Sequence, residues 1–152
     1  MDKLDFRKAE AALYRAPKDS WARVEVPERL FLGIDGADDP NGPGYAEALA
    51  ALYPVAYAIK FAAKAQGADF AVPPLEALWC SEDRGAFVRG ARAAWRWTAL
   101  LRVPDATLQE ALDSARGSVA AKAGRKPGGA PARLGDLRLV RLTEGDCLPR
   151  LP

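Results

Sequence analysis

Alternation of apolar and polar positions predicts a strand in the first third of the chain. In the segment WARVEVPERLFLGIDG, residues 21–36, Leu30, Leu32 and Ile34 alternate with Phe31 and Gly33. Side chains that recur every second residue lie on one face of a strand, so this segment has an inner and an outer face. The strand runs into the segment GIDGADDPNGPG, residues 33–44, a turn rich in Gly, Asp, Pro and Asn.

The spacing of apolar residues then changes to four and three, which predicts a long helix over residues 44–66. The residues on its apolar face are Tyr45, Leu49, Leu52, Ala56, Ile59 and Ala63. Pro54 lies within this pattern. Because proline has no backbone N–H, we expect it to kink the helix or to divide it near Tyr53.

Two more strands are predicted at residues 70–80 and 94–103, separated by a loop. Thr107 and Glu110 have the spacing of a capping box, which predicts a second helix with an apolar face. That face comprises Leu108, Ala111, Leu112, Ala115 and Val119. Residues 124–136 form a Gly/Pro linker, and residues 137–145 form a last strand. The order strand, helix, strand, strand indicates an α+β fold, a βαββ unit with the long helix packed on one face of an antiparallel sheet. The other face then needs a cover.

Composition restricts the chemistry more than it identifies it. The chain has 152 residues, a net charge of +2 and no histidine, so imidazole bases and metal sites that need histidine are excluded. Cys80 and Cys147 form no metal or redox motif and are expected to be reduced thiols. We predict no metal and no cofactor.

The charged N-terminus and the lack of a long apolar run predict no signal peptide and no membrane partner, hence a cytoplasmic protein. The scattered Lys and Arg residues predict no nucleic-acid partner.

Four segments resemble the GyrI-like small-molecule-binding family, and the resemblance extends from about residue 6 to residue 145. They are VPERLFLGIDGADDPNG (26–42), ALAALYPVAYAIKFAAK (48–64), FAVPPLEALWC (70–80) and WRWTALLRVPD (95–105). The resemblance implies two pseudo-symmetric βαββ modules with a ligand cleft between them. The GyrI-like family includes effector-binding domains, gyrase inhibitors and members that resemble hydrolases that open cyclopropane-bearing natural products.

The chain departs from the family pattern at two places. Asp38 replaces a glycine of the turn, a mild change because Asp tolerates positive φ. After LTEG the family's second module does not continue, so we expect a truncated or frameshifted GyrI-like domain over residues 1–152. Its predicted parts are an N-terminal helical segment (1–22), the first βαββ module (23–104), a helix and linker (105–135) and the first strand of an incomplete second module (136–152).

The resemblance implies a ligand cleft with an acidic residue and aromatic side chains. Glu76 shares a strand face with Leu78 and Cys80, while Trp79 lies on the opposite face. Glu76 is either a solvated surface residue or, as the family motif implies, the carboxylate of the cleft. The tryptophans Trp79, Trp95 and Trp97 either pack in the core or line the cleft, where an indole would stack on a cationic aromatic guest. Tyr57 and Lys60 on the long helix are either solvated or ligand-binding.

The resulting prediction is a protein that binds aromatic or cationic, drug-like small molecules. An alternative is a hydrolase of reactive electrophilic natural products with Glu76 as its catalytic residue. A gyrase-inhibitor-like interaction protein and a non-functional remnant are further alternatives. Two copies of the chain are expected to form a homodimer that completes the missing module, because a sheet face and edge would otherwise be exposed.

Overall fold

The computed structural model describes residues 2–83 and 85–147. Its helices are α1 (Phe6–Ala9), α2 (Ala11–Tyr14), α3 (Pro43–Ala65) and α4 (Gln109–Ala123). Its strands are β1 (Val24–Val26), β2 (Arg29–Ala37), β3 (Glu76–Cys80), β4 (Arg96–Arg102), β5 (Arg138–Leu142) and β6 (Gly145–Cys147). Single 3₁₀ turns lie at Arg92–Ala94 and Leu134–Asp136. Residues 148–152 of the predicted last segment lie outside the described residues, and the division into modules stays a prediction.

Strands β2, β3, β4 and β5 form one antiparallel sheet in the order β3-β4-β2-β5. The consecutive elements β2, α3, β3 and β4 are the predicted βαββ unit, and β5 adds to the far side of β2. The α+β class and the antiparallel sheet under a long helix are therefore confirmed. Strands β1 and β6 pair separately as a short antiparallel ribbon.

The core lies between the sheet and α3. Leu30, Leu32 and Ile34 of β2 are buried there, as their alternation predicted. Helix α3 covers them with a closely packed face of small and branched residues. That face comprises Ala48, Ala51, Leu52, Val55, Ala56 and Ile59.

Pro54 does not divide the long helix. Helix α3 runs without a break from Pro43 to Ala65 with Pro54 inside it, so the predicted division near Tyr53 is wrong. The proline removes only one helical hydrogen bond. Leu52 and Val55 on either side of it are fully buried against the sheet, and this packing keeps the segment helical. Pro43 occupies the first turn, where its missing N–H would have no helical partner.

Helix α3 is also long and apolar enough to cross a membrane, by length and composition alone. The buried helix of a folded core meets the same test, and α3 lies on the sheet with Leu52, Val55 and Ile59 buried. Of the apolar window, 39% is buried inside the structure, so packing accounts for part of its hydropathy.

Three local predictions are wrong: the start of β3, the capping box of α4 and the place of Leu108 on its buried face. Strand β3 begins at Glu76 rather than at residue 70, because Pro73 and Pro74 cannot donate to a strand ladder. Helix α4 has Leu108 as its N-cap without a side-chain hydrogen bond, so the Thr107 capping box does not form. Leu108 is 67% exposed, whereas Leu112 and Ala115 form the buried face of α4 as predicted. Asp38 adopts a φ of 79°, in keeping with the expected tolerance of Asp.

Candidate functional site

The face of the sheet that points away from α3 carries most of the charged side chains of the strands. In the strand register, Glu76 of β3 lies opposite Leu100 of β4, and Arg102 of β4 lies opposite Phe31 of β2. All four residues alternate with core residues, so they share the opposite face. We call this side of the sheet the free face.

A concavity of about 150 Å³ lies at one end of the free face. It is bounded by the sheet, by α2 and by the segments that lead into β3 and β6. Its lining residues are Leu13, Tyr14, Val26, Arg29, Phe31, Pro74, Glu76, Arg102 and Glu144. Apolar walls with a few converging polar groups are typical of small-molecule sites.

The guanidinium of Arg102 lines this concavity, and the Arg102 side chain is only 3% exposed. Arg102 forms an ion pair with Glu10, and its Nη1 donates to the Tyr14 hydroxyl oxygen at 3.3 Å. Arg29 Nη2 also donates to Glu10, at 2.5 Å from Oε1. The Arg102 guanidinium lies 4.4 Å from the centre of the Phe6 ring, which covers its face. The network fixes Arg102 beneath the site.

The pKa values of Glu10 and Tyr14 in this network are shifted in opposite directions. Burial opposes ionisation of Glu10, but the hydrogen bonds from Arg102 and Arg29 outweigh it and lower the pKa of this carboxyl. Burial raises the pKa of Tyr14, although Arg102 opposes the shift. Tyr14 therefore keeps its proton, and because its oxygen accepts from Arg102, its O–H can donate to a bound molecule.

Glu76 is the carboxyl that this network leaves unneutralised. Among residues 2–83 and 85–147 it has no hydrogen bond or salt bridge. Burial of the carboxyl raises the pKa of Glu76 above 4.5, Glu144 raises it further, and Arg102 opposes both. Much of the Glu76 residue is nevertheless exposed on the edge strand β3, and this contact with water moderates the shift. A carboxyl with a raised pKa in a concavity is suited to proton transfer.

An NMR titration of the Glu76 side-chain carboxyl is expected to give a midpoint above 4.5. In the Glu144→Gln variant the midpoint should fall, because one neighbouring negative charge is removed. Glu47 lies on α3, away from the concavity, so Glu47→Gln serves as the matched control and should leave the midpoint unchanged. A Glu76 midpoint at or below 4.5 would contradict the assigned surroundings of this carboxyl.

The three predicted tryptophans are not brought together with Glu76. Trp97 is 2% exposed and lies in the core beneath α3, and its indole Nε1 has no acceptor among the described residues. Trp79 of β3 lies opposite Trp97 in the strand register, and its ring centre is 5.7 Å from that of Trp95, which precedes β4. Trp79 also stacks on Tyr45 of α3, at 6.3 Å. The tryptophans thus lie on the α3 side of the sheet and Glu76 on the free face.

The two predicted helix residues also lie apart from Glu76. Lys60 is 7% exposed, and its Nζ bonds to Asp69 Oδ1 at 2.6 Å, an ion pair that ties α3 to the chain before β3. Tyr57 is 43% exposed and lies beside Phe61, between α3 and α4. The six predicted site residues therefore do not form one site.

Sequence reasoning missed Arg102, Tyr14 and Glu10. A signal was present for one of them, since Arg102 interrupts an apolar strand (TALLRVP), and a buried cation needs a carboxylate partner. The partner itself was not predictable, because Glu10 is 92 residues away in sequence.

Metal chemistry has no evident location in the described part of the chain. Within residues 2–83 and 85–147, no group of three Asp, Glu or Cys residues is placed to hold a metal ion. Cys80 and Cys147 are free thiols.

Three solved structures from Listeria innocua match this chain over nearly its whole length. An uncharacterized conserved protein is 40% identical with a TM-score of 0.83, and the match covers 96% of this chain and 70% of that one. A hydrolase is 39% identical with a TM-score of 0.77, over 96% of this chain and 68% of that one. Another hydrolase structure is 40% identical with a TM-score of 0.81, over 97% and 70%.

This chain belongs to the family of these Listeria innocua proteins. Identity of this level over almost every residue of the chain indicates a shared fold, and the TM-scores agree with it. No protein-family model and no curated protein matches the chain. Two of the three family structures are described as hydrolases.

Proposed function

We propose that this chain binds a small organic molecule on the free face and hydrolyses it, with Glu76 as the catalytic acid–base group. The observation that carries the proposal is the Glu76 carboxyl, which has a raised pKa and no hydrogen bond or salt bridge among the described residues. It lies in a concavity that also contains Tyr14, whose hydroxyl oxygen accepts a hydrogen bond from Arg102.

The binding part of the proposal rests on the walls of the concavity. Leu13, Phe31 and Pro74 supply apolar contacts, and Tyr14 supplies a hydrogen-bond donor. A volume of about 150 Å³ holds only part of a drug-sized molecule. The remainder of a larger guest would extend over the free face, towards Leu78, which is 43% exposed.

The catalytic part is a water addition in which atoms and charges balance. The Glu76 carboxylate takes a proton from water while the water oxygen bonds to an electrophilic carbon of the guest. The bond from that carbon to its leaving atom breaks, and the electron pair goes to the leaving atom. The Tyr14 O–H stabilises the negative charge that develops there. Glu76 then returns the proton to the leaving atom and is regenerated as carboxylate.

The comparisons support this reaction class, because two family members are described as hydrolases. The resemblance to the GyrI-like family supports the same choice, since it implies a cleft glutamate and a strained-ring electrophile as substrate. Membership of that family, the aromatic or cationic guest and the cytoplasmic location stay predictions. The homodimer, which would cover an exposed sheet face and edge, also stays a prediction.

Glu76→Gln is expected to lower kcat by about 100-fold or more, because loss of a positioned acid–base group removes that much. The assay would use neutral electrophiles, namely a nitrophenyl ester, an aryl epoxide and an activated cyclopropane, with the product followed by chromatography. The wild-type rate should rise with pH through the pKa of Glu76, since only the carboxylate accepts a proton. Light scattering on the same samples would report the oligomeric state.

Glu47→Gln on α3 is the control for this assay and should keep the wild-type rate. Equal rates and equal pH profiles for wild type and Glu76→Gln would overturn the catalytic role. A wild-type chain that binds a cationic aromatic dye through Glu76 and hydrolyses none of the three electrophiles would instead identify a binding protein.

A further inference from the structure

A second concavity lies between α3 and α4, in the helical layer on the other side of the sheet from Glu76. Its volume is about 570 Å³. We call it the α3–α4 groove. Its lining residues are Pro54, Tyr57, Ala58, Phe61, Ala62, Ser114, Ala115, Ser118, Val119, Lys122, Ala123, Lys126, Gly129 and Pro131.

The groove exists because small side chains face one another where the two helices meet. Ala58 and Ala62 of α3 and Ala115 of α4 fill little of the space between the helix axes. The Gly/Pro linker after α4 contributes Gly129 and Pro131 and closes one end. Its volume lies within the range of roughly 300–1,000 Å³ that small-molecule pockets occupy.

Two aromatic rings form the open wall of the groove. Tyr57 is 43% exposed and Phe61 is 57% exposed, and their ring centres are 6.3 Å apart. Exposed aromatic side chains that border an apolar groove are unfavourable in water unless something covers them. The rings therefore offer an apolar ligand a surface to bury.

The charged side chains that line the groove are all cationic. Lys122 and Lys126 are the charged residues among those that line it, and neither forms a salt bridge within the described residues. The remaining polar side chains include the hydroxyls of Ser114 and Ser118, which can donate hydrogen bonds. An apolar groove with cationic groups and hydroxyl donors is complementary to an anionic head on an apolar body.

We propose that the α3–α4 groove binds an amphipathic organic anion, such as a carboxylate on an aliphatic chain or aromatic ring. The apolar body packs against Tyr57, Phe61 and the alanines, and the anionic head lies near Lys122 and Lys126. The site is independent of Glu76, and its charge preference is the opposite of that predicted for the free face.

The test uses 8-anilinonaphthalene-1-sulfonate, an anionic apolar fluorophore, as the probe for the full chain. We expect saturable binding that dodecanoate displaces and that dodecyltrimethylammonium, a cation with the same alkyl chain, does not. Equal displacement by the cation would overturn the proposal, because the groove would then select apolar area without regard to charge.

Three variants locate the binding. Ser118→Trp fills the groove from an exposed position and should abolish probe binding. The double variant Lys122→Glu/Lys126→Glu should weaken it about fivefold or more, because two attractive contacts become repulsive. Arg125 is exposed between these lysines and outside the groove lining, so Arg125→Glu is the matched control and should change the affinity less than twofold.

Phe61→Ala keeps the test decisive if Ser118→Trp fails to fold. This position is exposed, so the variant should fold, and loss of one apolar wall should weaken the probe about tenfold. Wild-type affinity in Phe61→Ala, or an equal effect of Arg125→Glu and the lysine double variant, would place the probe elsewhere and refute the assignment.

Discussion

Glu10→Ala is expected to lower the free energy of unfolding by about 3 kcal/mol, because it leaves a buried guanidinium without its carboxylate. The Arg102 side chain is 3% exposed, and Glu10 is its carboxylate partner. Glu10 also pairs with Arg29, whose side chain is 21% exposed. We place the effect at the lower end of the range for buried pairs because Glu10 itself is 22% exposed. Urea denaturation at neutral pH measures it.

Glu28→Ala is the control for this experiment. Glu28 faces Arg141 at 3.7 Å, with both side chains 56% exposed, so its removal should change the free energy of unfolding by less than about 0.5 kcal/mol. Comparable losses in the two variants would show that burial of Arg102 does not determine the effect.

The stability difference between wild type and Glu10→Ala should also depend on pH. The pKa of Glu10 is lower in the folded protein than its ordinary value of 4.5. The carboxylate therefore stabilises the fold fully above that value and loses its effect as the pH falls through the lowered pKa. The two unfolding curves should converge on acidification, and a difference that grew with acid would contradict the ion pair.

Gly36→Ala is expected to lower the free energy of unfolding by about 1–3 kcal/mol, because it overpacks the core beside Trp97. A Cβ on Gly36 would lie 2.1 Å from Cη2 and Cζ2 of the Trp97 ring. That ring cannot move aside freely, since it is 2% exposed and meets the Tyr45 ring edge-on at 4.9 Å. Urea denaturation followed by far-UV circular dichroism measures the loss.

Gly117→Ala is the matched control, in which a methyl group is added to another glycine. Gly117 lies inside α4 with nothing within 4 Å of its added Cβ. Alanine there should stabilise the protein by about 0.5–1 kcal/mol, because it favours helix over the unfolded chain. Effects of the same sign at both glycines would show that the close approach to Trp97 has no energetic consequence.

The two proposed sites differ in how they could have been found. Glu76 was a candidate because the resemblance to the GyrI-like family implied a cleft carboxylate there, and its alternation with Trp79 already placed the two on opposite faces. The α3–α4 groove was not predictable, because Ala58, Ala62 and Ala115 look like ordinary helix residues in sequence. Tyr57 was identified as a candidate, but its neighbours come from a helix about 60 residues further along the chain.

Local periodicity in the sequence determined the order of elements in this protein. Alternation identified β2, and spacings of three and four identified α3, because each pattern follows from the geometry of a single element. Tertiary packing decided what depends on distant parts of the chain. It kept α3 whole across Pro54, buried Trp97 in the core and brought Glu10 to Arg102 over 92 residues. Such contacts form only when separate elements meet, so no single segment encodes them.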